Sequence, residues 1–141
     1  EKMTLTLQLH KMGLVLDIDG TLVHSTDMCI FPRPYLGEFL DFCFSSFSTV
    51  TVWTAASESW GKFVLRSVPT LHERKFHNLT YGDRCTRKHI ENDYYTGTVT
   101  FSIKPLKKIY NLKKTVIVDD TPITFSRNWA NGVYIKTYNG L

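Results

Sequence analysis

Two short apolar runs in this chain end in carboxylates. Gly13 to Leu16 leads into Asp17 and Asp19, and Thr115 to Val118 leads into Asp119 and Asp120. An apolar run of this length reads as a strand buried on both faces, the kind found in a parallel sheet. In an open parallel sheet the ligand crevice lies outside the carboxyl ends of the strands. The two acidic pairs then meet at one edge of one sheet, although most of the chain lies between them.

The intervening sequence supports that architecture. From Pro34 to Phe44, Leu36, Phe39, Leu40 and Phe44 recur at helical spacing, with Pro34 at the expected helix start. Ser48 to Thr54 is rich in β-branched residues and reads as a strand. A second helix is expected from Ser57 or Glu58 to Val68, with Ser57 as N-cap and Pro69 as stop. Phe76 to Tyr81 reads as a third strand. Arg84 to Asn92 is polar and carries no clear signal, and Tyr94 to Ile103 alternates β-formers around Gly97 as a hairpin would. Pro105 to Leu112 reads as a short helix, and Val133 to Thr137 as the last strand. Strands alternating with helices predict an α/β fold with a mainly parallel, Rossmann-like sheet, flanking helices and minimal or no cap. The length of 141 residues suits one domain, 1–141.

The crevice residues point to phosphoryl transfer. Four clustered carboxylates repel one another, and a hard divalent cation removes the problem; Mg2+ prefers a few oxygen ligands together with water and phosphate. Thr54 closes a strand and Lys104 precedes a helix, so both reach the same crevice and supply donors to a phosphoryl group. Taken singly, each has another reading. Asp17 or Asp119-Asp120 can be turn residues, Thr54 a β-former bonded to backbone, and Lys104 a solvated charge. Their joint occurrence at the right strand ends favours an aspartate nucleophile.

Composition narrows the rest. Hydrophobic residues make up 43% and charged residues 21%, which argues for a packed core and against disorder. The net charge of +4 fits an anionic substrate or merely a basic surface. Cys29, Cys43 and Cys85 show no CxxC spacing, so neither a disulfide framework nor a zinc site is expected; Cys43 reads as a core residue, and reduced thiols suit an intracellular chain of cytoplasm or nucleus. No apolar run approaches the roughly 20 residues that cross a bilayer, and Glu1 to Lys11 lacks an unbroken signal-peptide core, so no membrane partner is expected. His10, His72, His77 and His89 show no ligand spacing. Arg84, Arg87, Lys88, Lys107-Lys108 and Lys113-Lys114 read as a solvated face or as contacts to a phosphorylated polymer.

Asp17-Ile18-Asp19-Gly20-Thr21-Leu22-Val23-His24-Ser25 resembles the opening segment of one branch of the haloacid dehalogenase superfamily, the phosphatases of the RNA polymerase II C-terminal domain and related small phosphatases. Arg33 to Leu40, Val52 to Ser57, Lys104 and Val116 to Pro122 resemble its further motifs, so the likeness runs from Gly13 to Thr137. The resemblance implies that Asp17 attacks phosphorus and that Asp19 serves as acid and then base. It implies that Thr54 and Lys104 hold phosphate oxygens, and that Mg2+ is held by Asp17, the Asp19 backbone carbonyl and Asp120, with Asp119 close by. His24 is then a structural hydrogen-bonding residue.

This chain departs from the branch at several points. Gly20 stands where the branch usually has Glu, and Asp120 where the small phosphatases often have Asn. The three-stranded insertion usual after Ser25 is expected to be absent or vestigial, and Lys88 to Ser102 looks longer than its counterpart. Three function classes follow. They are a phosphoserine or phosphothreonine protein phosphatase, a phosphatase for nucleic-acid ends, nucleotides or other small esters, and a catalytically silent phosphoprotein-binding module. The intact acids speak for an enzyme, and an open crevice for a phosphorylated protein or peptide.

Overall fold

The first half of the chain sets helices between sheet strands as the hydrophobic pattern requires, whereas the described elements after Thr80 are strands joined by short 3-10 turns. The computed structural model describes residues 2–92, 97–108 and 111–141. In chain order it contains α1 (Lys2–Leu9), β1 (Gly13–Leu16), β2 (Val23–Ser25), β3 (Ile30–Pro32), α2 (Leu36–Ser46), β4 (Thr49–Trp53), α3 (Glu58–Ser67), α4 (Pro69–His72), β5 (Asn78–Thr80), β6 (Thr86–Asn92), β7 (Gly97–Ile103), β8 (Thr115–Asp119) and β9 (Gly132–Tyr134). Short 3-10 turns at Leu106–Lys108, Leu112–Lys114, Pro122–Phe125 and Trp129–Asn131 connect the later elements.

The sheet has the order β5-β4-β1-β8-β9, and every pairing in it is parallel. The register sets Leu16 opposite both Val52 and Val118, so β1, β4 and β8 end level. The next residue, Asp17, donates its backbone N–H to Val118 O at 3.1 Å and comes to lie beside Asp119. No cap domain is present among the described residues, and none of their helices is long and apolar enough to cross a membrane.

Successive residues of β1 serve two cores, as the two-residue period of a strand demands. Leu14 and Leu16 pack with Leu36, Leu40 and Cys43 of α2 and Val64 of α3. Val15 packs on the other face with Trp53, Ile117, Leu106 and Phe125. Burial also pushes the Cys43 thiol up to about 12, so it is an inert core group. Trp53 is fully buried, and truncating such a side chain to Ala costs about 3–5 kcal/mol.

Several boundaries differ from the sequence reading. α2 starts at Leu36 rather than Pro34 because Tyr35 adopts φ 65°, a left-handed conformation no helix contains. α3 is capped as expected, with Trp60 N donating to Ser57 Oγ, and ends at Ser67 before Pro69 as expected; Pro69 then opens the new turn α4 as its first residue. The β6–β7 hairpin has its arms at Thr86–Asn92 and Gly97–Ile103, so Gly97 begins the second arm rather than turning the chain. The polar stretch after Arg84 becomes a strand through cross-strand pairs: Arg87 Nη1 donates to Ser102 Oγ at 3.0 Å, and His89 Nδ1 lies 2.9 Å from Thr100 Oγ1. The expected helix from Pro105 is a single 3-10 turn, and Ile109 and Tyr110 lie outside the described residues, as does the Tyr94 end of the hairpin. After Ser25 the chain keeps only the antiparallel pair β2–β3. The His24 ring lies between those of Phe31 and Tyr138, with centroids 6.4 and 6.3 Å away, and among the described residues it makes no hydrogen bond of the kind expected.

Candidate active site

Lys104 follows β7 directly and is 1% exposed. A charge so deeply buried must be paired. Its Nζ donates to Asp17 Oδ1 at 2.9 Å and to Asp119 Oδ2 at 2.6 Å. Burial alone would pull the Lys104 ammonium down, but the Asp17 and Asp119 charges outweigh it and hold Lys104 above its ordinary value. One cation cannot neutralise two buried carboxylates. Burial first, then the Asp119 charge and a hydrogen bond to Asp120, push Asp17 up to about 8, against the downward pull of Lys104.

Asp120 is the third acid at this edge. Oxygens of Asp17, Asp119 and Asp120 all lie within 4.8 Å of one another. Thr21 Oγ1 is 2.9 Å from Asp17 Oδ2 and 3.4 Å from Asp120 Oδ1. A hydroxyl has a single proton, so it can donate to only one of these oxygens at a time. Asp120 also accepts from Thr137 Oγ1 at 2.9 Å, and Asp119 Oδ1 from Thr121 N at 2.9 Å. An all-oxygen, net-negative group of this kind suits a hard divalent cation, which would relieve both the repulsion and the shortage of protons.

Gly20 makes room for this arrangement. Its φ is +81°, and a Cβ there would lie 2.2 Å from Asp120 Oδ2. Glycine at position 20 and a carboxylate at position 120 are therefore coupled by contact.

Asp19 stands apart from the three. Its carboxylate lies outside their group and accepts from the Trp60 indole, with Nε1 at 3.1 Å from Oδ1 and 3.2 Å from Oδ2. Thr54 Oγ1 accepts from Ala56 N at 3.1 Å, which leaves its own proton for another acceptor. Asp17, Asp19, Thr54, Lys104, Asp119 and Asp120 all line one cleft of about 310 Å³. Thr100, Phe101 and Ser102 of β7 form one wall without sealing it, since Thr100 and Thr121 are exposed and Asp19 and Asp120 half-buried.

Asp17, Asp19, Thr54, Lys104, Asp119 and Asp120, the candidate catalytic and metal residues of the sequence, thus meet at one edge, whereas His24 and the basic residues of the expected solvated face do not line the cleft. The sequence reading passed over Thr21, Thr137 and the Trp60 indole. Thr21 lies within the signature and was open to notice. Trp60 reads only as an apolar helix position, and Thr137 reaches Asp120 through the tertiary fold alone.

Residues 12–140 match the NLI interacting factor-like phosphatase family. A CTD phosphatase-like protein of Invertebrate iridescent virus 3 is 29% identical over 118 residues, covering 77% of this chain and 61% of that protein. CTD small phosphatase-like protein 2 of Dictyostelium discoideum is 26% identical over 148 residues, covering 91% of this chain and 24% of that protein. The chain therefore spans less than two thirds of either relative. The fission yeast RNA polymerase II CTD phosphatase Fcp1, bound to beryllium fluoride, superposes with a TM-score of 0.66 at 14% identity, over 97% of this chain and 44% of that one. A second structure of Fcp1, an essential RNA polymerase II CTD phosphatase, gives 0.66 at 13% identity, over 98% of this chain and 45% of that one. At these identities the likeness is one of fold.

Proposed function

Because the chain belongs to the NLI interacting factor-like phosphatase family, we propose that it hydrolyses phosphate monoesters at the Asp17 edge of its sheet. The observation that carries this reading is the meeting of Asp17, Asp119 and Asp120 within 4.8 Å around a buried lysine. Asp17 is the nucleophile: its carboxylate oxygen attacks phosphorus, the ester oxygen leaves, and an aspartyl-phosphate forms. Asp19 gives its proton to the leaving oxygen and then takes one from the attacking water. Thr54 and Lys104 donate to phosphoryl oxygens, and Lys104 also offsets the charge beside the nucleophile. Asp17, Asp120 and the Asp19 backbone carbonyl would hold Mg2+, with Asp119 beside them. The ion, when bound, supplies positive charge against the phosphoryl group.

The proposed substrate is phosphoserine or phosphothreonine in a protein chain. Structural neighbours are named RNA polymerase II CTD phosphatases, and no cap among the described residues closes the cleft. An open cleft lets residues flanking the phosphate contribute binding outside the reacting centre. The test is a panel of phosphopeptides, 5′-phosphorylated oligonucleotides, nucleotides and sugar phosphates, each with magnesium and with chelator. Phosphopeptides are expected to show the highest kcat/KM, and chelator to abolish turnover of every member. A higher kcat/KM for oligonucleotide ends or sugar phosphates removes the protein substrate. Full activity in chelator removes the metal.

A further inference from the structure

Of the four acids at this edge, Asp19 is the one whose carboxylate meets neither Lys104 nor the other acids. An acid that hands a proton to a leaving oxygen must present one oxygen in a set direction, and a carboxylate free to turn does so only part of the time. The group facing it is the Trp60 indole. A single N–H lies 3.1 and 3.2 Å from the two oxygens, so it sits about midway between them and limits how the carboxylate can turn. An indole N–H donates, accepts nothing and carries no charge. It can therefore orient Asp19 without competing for the proton in transit.

Trp60 is itself held. It is the third residue of α3, and its backbone N–H donates to the N-cap Ser57 Oγ. Its ring lies 5.7 Å from that of Phe63, and its body packs on the core beside α2 and α3. The core needs only an aromatic body at this position. The N–H edge is the part that meets Asp19, and Asp19 in turn lines the cleft.

We infer that Trp60 is a positioning residue, which aims the Asp19 carboxyl at the leaving-group oxygen during phosphoryl transfer. The inference rests on the phosphatase reading. In the step concerned the Asp17 oxygen–phosphorus bond forms, the ester oxygen–phosphorus bond breaks, and the Asp19 proton moves to the departing oxygen. The indole proton stays where it is.

The test is Trp60→Phe, assayed with magnesium as kcat/KM over a series of aryl phosphates. Because kcat/KM reports the first irreversible step, it isolates the cleavage that Asp19 assists. A nitrated phenol departs as its anion and needs no proton, whereas unsubstituted phenol needs one. Trp60→Phe is expected to lower kcat/KM about tenfold for phenyl phosphate, the scale of one lost hydrogen bond to a charged group, while 2,4-dinitrophenyl phosphate stays within about twofold. In an Asp19→Asn background the same substitution is expected to change nothing further. An equal loss across the series, or no loss with phenyl phosphate, overturns the inference. Should Trp60→Phe fold poorly, benzothienylalanine at position 60 keeps the indole shape and lacks only the N–H, and it is read by the same criteria. If the parent protein hydrolyses none of the esters, the phosphatase reading fails and the inference falls with it. That result is distinct from an active parent whose variants respond evenly.

Discussion

The four acids divide into an inner and an outer pair, held by different chemistry. Asp17 and Asp119 are buried and share one lysine ammonium at 2.9 and 2.6 Å. Asp19 and Asp120 are half-exposed and held by neutral donors from distant parts of the chain, the Trp60 indole and the Thr137 hydroxyl. The inner pair is secured by charge in a dry setting, where the interaction is strong and desolvation costly. The outer pair keeps its contact with water, and neutral donors orient it. The proposed mechanism, attack on phosphorus together with proton transfer, would use both arrangements side by side.

The largest expected effect falls on the inner pair. Asp17→Asn should abolish turnover and prevent acyl-phosphate formation, read as phosphate release and as beryllium fluoride binding. The same substitution should stabilise the metal-free chain. Asp17 is raised from 3.8 to about 8 in the folded protein. The folded state thus keeps a proton that the unfolded chain has released, and the stability this brings is full below 3.8 and lost as pH rises through about 8. Lys104, raised above its ordinary 10.5, stays charged in both states across that window and adds no slope. Thermal melts in chelator should therefore show the parent losing stability from pH 4 to 8, with Asp17→Asn flatter and several degrees higher at pH 8. A parent as steady as the variant would mean that Asp17 is not the strained group.

Lys104→Met comes next. Loss of the shared ammonium should lower kcat/KM by on the order of a hundredfold or more, as with other removed transition-state donors. An unchanged rate would return Lys104 to a purely structural role. Gly20→Ala carries the contrast to the outer pair. The new Cβ must displace Asp120 and accept φ +81°, so magnesium affinity should fall about tenfold, measured as the magnesium dependence of hydrolysis. Gly20→Ala with Asp120→Asn should not lose affinity additively, because the two positions touch. The smallest effect is Thr137→Val, expected to weaken magnesium about fivefold by removing one hydrogen bond to Asp120 at a half-exposed site. A loss as large as that of Lys104→Met would erase the distinction between inner and outer acids.

Much of this was legible in the chain itself. Apolar runs ending in acids dictated a parallel sheet with its crevice at the strand ends, because such runs bury both faces and leave polar groups only where the strand stops. The same logic brought Thr54 to the acids, whereas Lys104 arrives at the end of β7, an arm of the separate antiparallel β6–β7 pair, so its place was set by the tertiary fold. Local chemistry named the Ser57 cap, and periodicity placed α2 and α3 to within two residues. Sequence could not reveal whatever depends on which distant atoms come to lie together. The β6 arm is polar on its face and becomes a strand only when Ser102 and Thr100 arrive to pair with Arg87 and His89. The left-handed Tyr35 conformation that delays α2 is announced by no pattern of side chains in the sequence. The roles that divide the four acids were equally hidden. Asp17, Asp19, Asp119 and Asp120 are the same residue type, and burial, a shared ammonium, an indole N–H and a threonine hydroxyl from remote segments make them different. Sequence determined that acids would gather at this edge, because strand periodicity and burial act locally. Tertiary structure decided which acid meets a charge and which a neutral donor, because hydrogen bonds and desolvation act over a few ångströms of space, however far apart the partners lie in the chain.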